Sequence, residues 1–254
     1  MDAVRTHEYD AGFYEYINAG SLASARVVCP LLVAWLKPDS LLDVGCGTGT
    51  WCKVWRESGV NDVLGVDDDY VNRSALLIDQ SSFRSQDLSH AFDLGRTFSL
   101  VVSLEVAEHV APDSADAFVE SLSRHGDVVL FSAAVPGQGG EFHVNEQPLE
   151  YWRTRLARHG FRCFDALRPK IIDNPEVEPW YRYNTLLYAR AGGLERLPKS
   201  VLDAEVPAGQ PIAELAPLGW RARNAVLRAL PTPWVSALVK AKHAWSRRFR
   251  PASG

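Results

Sequence analysis

The stretch Leu41-Leu-Asp-Val-Gly-Cys-Gly-Thr-Gly-Thr-Trp51 decides the fold. Four strand-forming residues run into three glycines at alternate positions, and a helical pattern follows from about Gly49 to Gly59. A strand, a glycine turn and a helix in succession bring backbone close to a ligand, because Gly45, Gly47 and Gly49 carry no side chain. A dinucleotide fingerprint needs its third glycine at position 50, where Thr50 stands, so the spacing is GxGxG rather than GxGxxG. Asp43 sits just before the turn, where it would repel a pyrophosphate and suits an ammonium group, which favours a ligand bearing an amino acid.

Outward from this segment, strand-like and helix-like runs alternate. A packed helix is expected over Ser21–Leu36, strands at 62–67, near Phe83, at 98–104 and at 127–133, and helices near 115–123 and after Pro148. This order predicts a three-layer α/β fold with a parallel sheet covered on both faces. FRCFDAL and YNTLLYARA, the latter over 183–191, supply the last strands, with an antiparallel final one. Between them RPKIIDNPEVEPWYR, with three prolines, reads as a substrate-facing loop. The expected organisation is one domain over 1–192, with an N-terminal helical lid, and a helical basic extension over 193–254.

The 254 residues are 46% hydrophobic and 23% charged, and no apolar run approaches the roughly 18 residues of a membrane span. The polar start MDAVRTHEYD is unlike a secretory signal, and Cys29, Cys46, Cys52 and Cys163 lack paired CxxC spacing. A cytoplasmic protein with reduced thiols is expected. The net charge of -4 is uneven, since eight basic and no acidic residues follow Glu214, leaving 19 basic against 31 acidic elsewhere. That acidic body argues against a nucleic-acid surface.

DVGCGTG, then GVD at 65–67, QDL at 86–88 and SLEVAEHV at 103–110 resemble, as an ordered set over residues 20–190, the motifs of class I S-adenosylmethionine (SAM) dependent methyltransferases. The resemblance implies a Rossmann-like fold with SAM as cofactor. It implies that Asp43 and the glycines hold the methionine moiety, that Asp67 holds the ribose with Asp68 as its neighbour, that Asp87 and Leu88 meet the adenine, and that Ser103, Leu104 and Glu105 face the sulfonium. Asp87 otherwise reads as a capping carboxylate. Trp51 either walls the ligand pocket or packs its helix.

Methyl transfer to a hydroxyl needs its proton removed, by a histidine base or by a divalent metal that lowers the hydroxyl pKa. Glu105, Glu108 and His109 have the spacing of one side of a helical turn, and His143 lies in the loop after the next strand. This ExxEH with a distant His is similar to the metal set of small-RNA 2′-O-methyltransferases, and its first part to ubiquinone-biosynthesis O-methyltransferases. Mg2+ or another divalent ion on Glu105, Glu108, His109 and His143 is one reading; His143 as base is the other, and satisfied structural histidines are the bland alternative.

Trp180, Tyr181 and Tyr183 form either a stacking platform for a sugar or aromatic acceptor or part of the core. PGQGGEFHVNEQPLEYW with WYRYN is similar to bacterial methyltransferases of glycan or secondary-metabolite pathways. Tyr9, Phe13, Tyr14 and Tyr16 form a lid or anchor the first helix. WVSALVKAKHAWSRRFR reads as a basic amphipathic helix, for which an anionic membrane, a carrier-linked substrate or the acidic body of the same chain is the partner, the last being favoured. The expected function is O-methylation of a small, sugar-containing acceptor. A nucleic-acid 2′-O-methyltransferase and a non-catalytic SAM-binding subunit are the alternatives.

Overall fold

The computed structural model describes residues 11–230, with side chains in the first helix from residue 19 onward. Four apolar segments form the centre of one sheet: β1 (Ser40–Val44), β2 (Asp62–Asp67), β4 (Leu100–Leu104) and β5 (Val128–Ser132), with the short β3 (Phe83–Ser85) beside β2. β4 and β5 are buried along their whole length, as parallel strands covered on both faces must be. The strands β6 (Arg162–Phe164), β7 (Leu186–Ala189) and β8 (Glu205–Val206) complete the order β3-β2-β1-β4-β5-β7-β6-β8. β7 runs antiparallel to both β5 and β6, and β8 is antiparallel to β6. The strand order reverses between β1 and β4, the crevice where open α/β sheets bind ligands.

Helices α1 (Ala11–Leu36) and α2 (Thr50–Glu57) cover one face, and α3 (Ala115–His125) and α4 (Leu149–Arg158) the other. The expected three layers are therefore present. α1 contains an 18-residue stretch, Ala19–Leu36, long and apolar enough by composition to cross a membrane, which the sequence reading had excluded. Its apolar side is used internally instead: Ala25, Cys29 and Leu32 are fully buried in the core shared with Val54 and Trp55 of α2.

The segment expected as a loop before the last strand contains two short helices, α5 (Arg168–Ile171) and α6 (Pro179–Asn184). Proline in the first turn of each fits a helix start, where its missing N–H is not needed. Arg168 is fully buried and reaches both Asp165 oxygens at 2.8 and 2.6 Å, the Tyr183 carbonyl at 2.9 Å and the Ala213 carbonyl at 3.0 Å. One guanidinium thus ties the segment after β6 to residues beyond 192. Those residues form α7 (Ala191–Leu194), α8 (Lys199–Leu202), β8 and α9 (Leu218–Ala229), so the extension adds a strand to the sheet as well as helices. The expectations placed on the Tyr9–Tyr16 side chains, Tyr14 included, and on residues 231–254 lie outside the described residues.

Candidate active site

The loop from β1 to α2 places all three glycines in the left-handed region, with φ of 82, 53 and 84° at Gly45, Gly47 and Gly49. Their surroundings differ. A β-carbon on Gly45 would collide with Val106 and one on Gly49 would lie 2.9 Å from Ile78, whereas Gly47 faces open space. Gly45 and Gly49 therefore serve close packing, and Gly47 is the position with free space at its α-carbon.

The Gly47 N–H donates to Asp67 at 2.6 Å, and Asp67 also accepts from the Asp68 N–H and from Tyr70 Oη, each at 2.8 Å. Burial pushes the Asp67 carboxyl upward against these donors. Asp68 is less buried and turns its own carboxylate to the Asp69 N–H, so Asp67 alone of the pair is tied to the glycine loop. Asp43 is buried with the Cys52 thiol, which donates at 3.3 Å; burial first, and the Asp67 charge to a smaller degree, push its carboxyl up to about 7. Ser103 is fully buried, and its hydroxyl has no hydrogen-bond partner among the described residues. Leu88 and Leu104 are buried on opposite faces of the sheet. Asp87 is exposed; one oxygen accepts from Ser89 N–H at 2.8 Å and Oγ at 2.6 Å, and the other meets His90 Nδ1 at 2.9 Å. That is the geometry of a carboxylate closing its own turn.

Beyond β4 the sequence predicted a helical turn uniting Glu105, Glu108 and His109. Instead Glu105 takes a left-handed φ of 57°, and only a 3-10 turn, Ala107–His109, follows. The reversal sends the Glu105 carboxylate elsewhere, where it accepts from Gln138 Nε2 at 2.7 Å and Asn184 Nδ2 at 3.4 Å. Asn184 Nδ2 also donates to Gln138 Oε1 at 2.8 Å. Glu105 thus falls outside the ligand group it was expected to join.

The other three expected ligands do converge: one ligand atom each from Glu108, His109 and His143 lies within 4.8 Å of the others. Glu108 is buried and its Oε2 has no hydrogen-bond partner among the described residues; burial, and then the Glu105 charge, push its carboxyl well up. His143 Nδ1 lies 2.8 Å from Glu146 Oε1, its Nε2 lies 3.9 Å from Glu108 Oε1, and its ring meets that of His109 edge-on at 4.9 Å. Glu146 further accepts from the Gly137 N–H at 2.7 Å and the Gly139 N–H at 2.8 Å. Although burial pushes the Glu146 carboxyl up, these contacts and His143 outweigh it and hold it below the usual carboxylate range. The Val144 and Asn145 N–H groups each donate to the Glu108 carbonyl at 2.9 Å, which fastens the His143 loop to the Glu108 turn.

The aromatic residues expected at the acceptor are mostly packed. Tyr181 is buried, with its hydroxyl 3.1 Å from Ser21 Oγ of α1 and accepting from Trp51 Nε1 at 3.4 Å. Burial pushes that phenol up to about 12. Trp51 therefore packs α2 against α6 and α1 beside the glycine loop. Tyr183 is buried with its ring 5.6 Å from Trp220 of α9, and Trp180 is partly buried. Arg223 Nη1 donates to the Gln138 carbonyl at 2.9 Å, and Asn224 is buried over Gly137. Sequence reasoning missed Gln138, Asn184, Trp220, Arg223 and Glu146. Only Glu146 had a local signal, three residues after His143.

The α9 contact gives a direct expectation. The Asn224 carbonyl occupies the space that a β-carbon on Gly137 would need, at a φ of 83°. Gly137→Ala should destabilise the fold by roughly 1–3 kcal/mol, read as a lowered Tm and faster proteolysis near α9. An unchanged Tm would show that α9 is not fastened there.

This site lies at the carboxyl ends of β1, β4 and β5, and residues 24–168 match a family described as "Methyltransferase domain". The chain belongs to the methyltransferase-domain family. By family and fold it is a class I SAM-dependent methyltransferase. It is 32% identical over 80 residues to a ubiquinone biosynthesis O-methyltransferase of Mesorhizobium japonicum, a match taking in 28% of this chain. The aligned part spans only 30% of that relative's length. The fold is similar to that of the sugar N-methyltransferase KedS8 from Streptoalloteichus, at 20% identity and a TM-score of 0.56 over 75% of this chain and 98% of that one. It is also similar to magnesium protoporphyrin IX methyltransferase from Synechocystis with bound SAM, at 20% identity and a TM-score of 0.50 over 74% and 88%. In this methyltransferase the glycine loop, the Glu108 turn and the His143 loop follow the carboxyl ends of β1, β4 and β5 respectively.

Proposed function

We propose that this methyltransferase transfers the methyl group of SAM to a hydroxyl of a small, sugar-containing acceptor, with a divalent metal held by Glu108, His109 and His143. SAM fits the residues present. Gly47 leaves space beside the loop, Asp43 is a buried carboxylate with a thiol donor, and the Ser103 hydroxyl has no partner among the described residues. When bound, SAM supplies an electrophilic methyl on its sulfonium, and the remaining work is to position and deprotonate the acceptor.

The observation that carries the metal reading is the buried, unpartnered Glu108 oxygen beside two imidazoles. A buried carboxylate in that state is stabilised by a cation, and one carboxylate with two histidines suits a divalent ion while leaving coordination positions open. Glu146 supports the assignment: a metal-binding histidine commonly gives its second N–H to a carboxylate that fixes its orientation. Glu105, held by Gln138 and Asn184, does not join the ligands.

The same His143–Glu146 pair favours a second reading, in which His143 Nε2 itself takes the acceptor proton and Glu146 holds the tautomer. Metal analysis of the purified protein with a chelation series separates the two. We expect exhaustive chelation to remove activity, Mg2+ or Mn2+ to restore it, and His109→Ala to weaken metal retention roughly 10- to 100-fold or more. Activity that survives chelation unchanged, together with full rate in His109→Ala, would discard the metal and leave the base. All four cysteines are free and buried, which supports the reducing, cytoplasmic setting expected from the sequence.

A further inference from the structure

The two most exposed large apolar side chains among the described residues, Leu218 at 78% and Val226 at 62%, both belong to α9. At 100° per residue, Leu218, Ala222, Ala225, Val226 and Ala229 share one outward arc, and all five are exposed. The opposite arc is spoken for: Trp220 packs on Tyr183, Arg223 bonds Gln138, and Asn224 lies over Gly137. Exposed Arg221 and Arg228 lie together along one edge of the apolar arc. No acidic residue follows Glu214, and Lys240, Lys242, Arg247, Arg248 and Arg250 lie in the sequence that continues from α9.

We infer that α9 docks this methyltransferase on an anionic lipid bilayer. The apolar arc supplies the surface that enters the headgroup boundary, and the cations along its edge supply attraction to anionic lipid. Docking on the chain's own acidic body would use charge alone and would leave Leu218 and Val226 in water, since that arc points away from the body. A second copy of the same arc would bring Arg221 and Arg228 against their own kind. Because the inner side of α9 holds the loop that carries Gln138 and His143, docking sets the acceptor crevice at the membrane surface.

Cosedimentation of the full chain with phosphatidylcholine vesicles, and with the same vesicles containing phosphatidylglycerol, tests this without an acceptor or turnover. The protein should pellet with the anionic vesicles and be released by high salt, and the double variant Leu218→Asp, Val226→Asp should bind at least about tenfold more weakly. Both positions are exposed, so the variant should keep the wild-type Tm and SAM affinity, which separates lost docking from lost folding. Three results would each overturn the inference: no pelleting with anionic vesicles, equal pelleting of the double variant, or a wild-type dimer that the double variant dissolves without any vesicle binding.

Discussion

Replacing His143 with alanine lowers methyl transfer by roughly 10²- to 10⁴-fold while leaving SAM affinity within about threefold of wild type. Both readings of the site demand this, because His143 Nε2 is either the metal ligand beside Glu108 or the atom that accepts the proton. The loss should appear in kcat rather than in cofactor Kd, since the glycine loop and Asp67 lie on other elements. Glu146→Gln discriminates further. It keeps the volume and part of the hydrogen bonding to Gly137, Gly139 and His143 but removes the charge facing Nδ1, so an intermediate rate is expected. Measurement is by SAH formed per enzyme with an accepted sugar-bearing hydroxyl compound. Wild-type kcat in His143→Ala would remove this residue from the chemistry.

The second large effect concerns Asp43 and pH. Its folded-state pKa of about 7 stands above the ordinary carboxylate value, so burial favours the neutral acid. For the cofactor-free protein this contribution to stability is fully present below about pH 4 and is lost as pH rises through 7, amounting to roughly 2–4 kcal/mol. A ligand ammonium reverses the preference, because it favours the charged carboxylate. SAM affinity should therefore rise between pH 5 and 7 by up to about tenfold per unit, with proton release on binding. Asp43→Asn should flatten that profile, weaken binding at pH 7 by roughly 10- to 100-fold and raise the Tm of the free protein above pH 7. Calorimetric titration with SAM at several pH values measures all but the last, and parallel profiles for the two proteins would disprove the Asp43 role.

The residues assigned to the cofactor have local signals. The GxGxG spacing, Asp43 and Asp67 follow one another within a single strand-turn-helix-strand unit, and backbone conformation keeps them together. Asp87 had two readings, adenine contact and turn cap, and its carboxylate meets Ser89 and His90, its own neighbours. The Glu105 error arose from treating i, i+3 and i+4 spacing as one face of a helix. A left-handed residue at the strand end breaks that periodicity, and nothing in EVAEH signals the break.

By itself the sequence determined the layer architecture, the parallel centre of the sheet and the glycine turn between β1 and α2, since hydrophobic period and glycine placement act over a few residues. Only the tertiary structure decided which of the four metal candidates meet, that Gln138 and Asn184 hold Glu105, and that α9 closes over the His143 loop. Those pairings join residues 33 to 85 positions apart, from Glu105–Gln138 to Gln138–Arg223, across strand crossovers and the C-terminal segment. Such contacts follow from packing, in which burial of Asn224, Tyr183 and Arg168 fixes where distant elements come to rest.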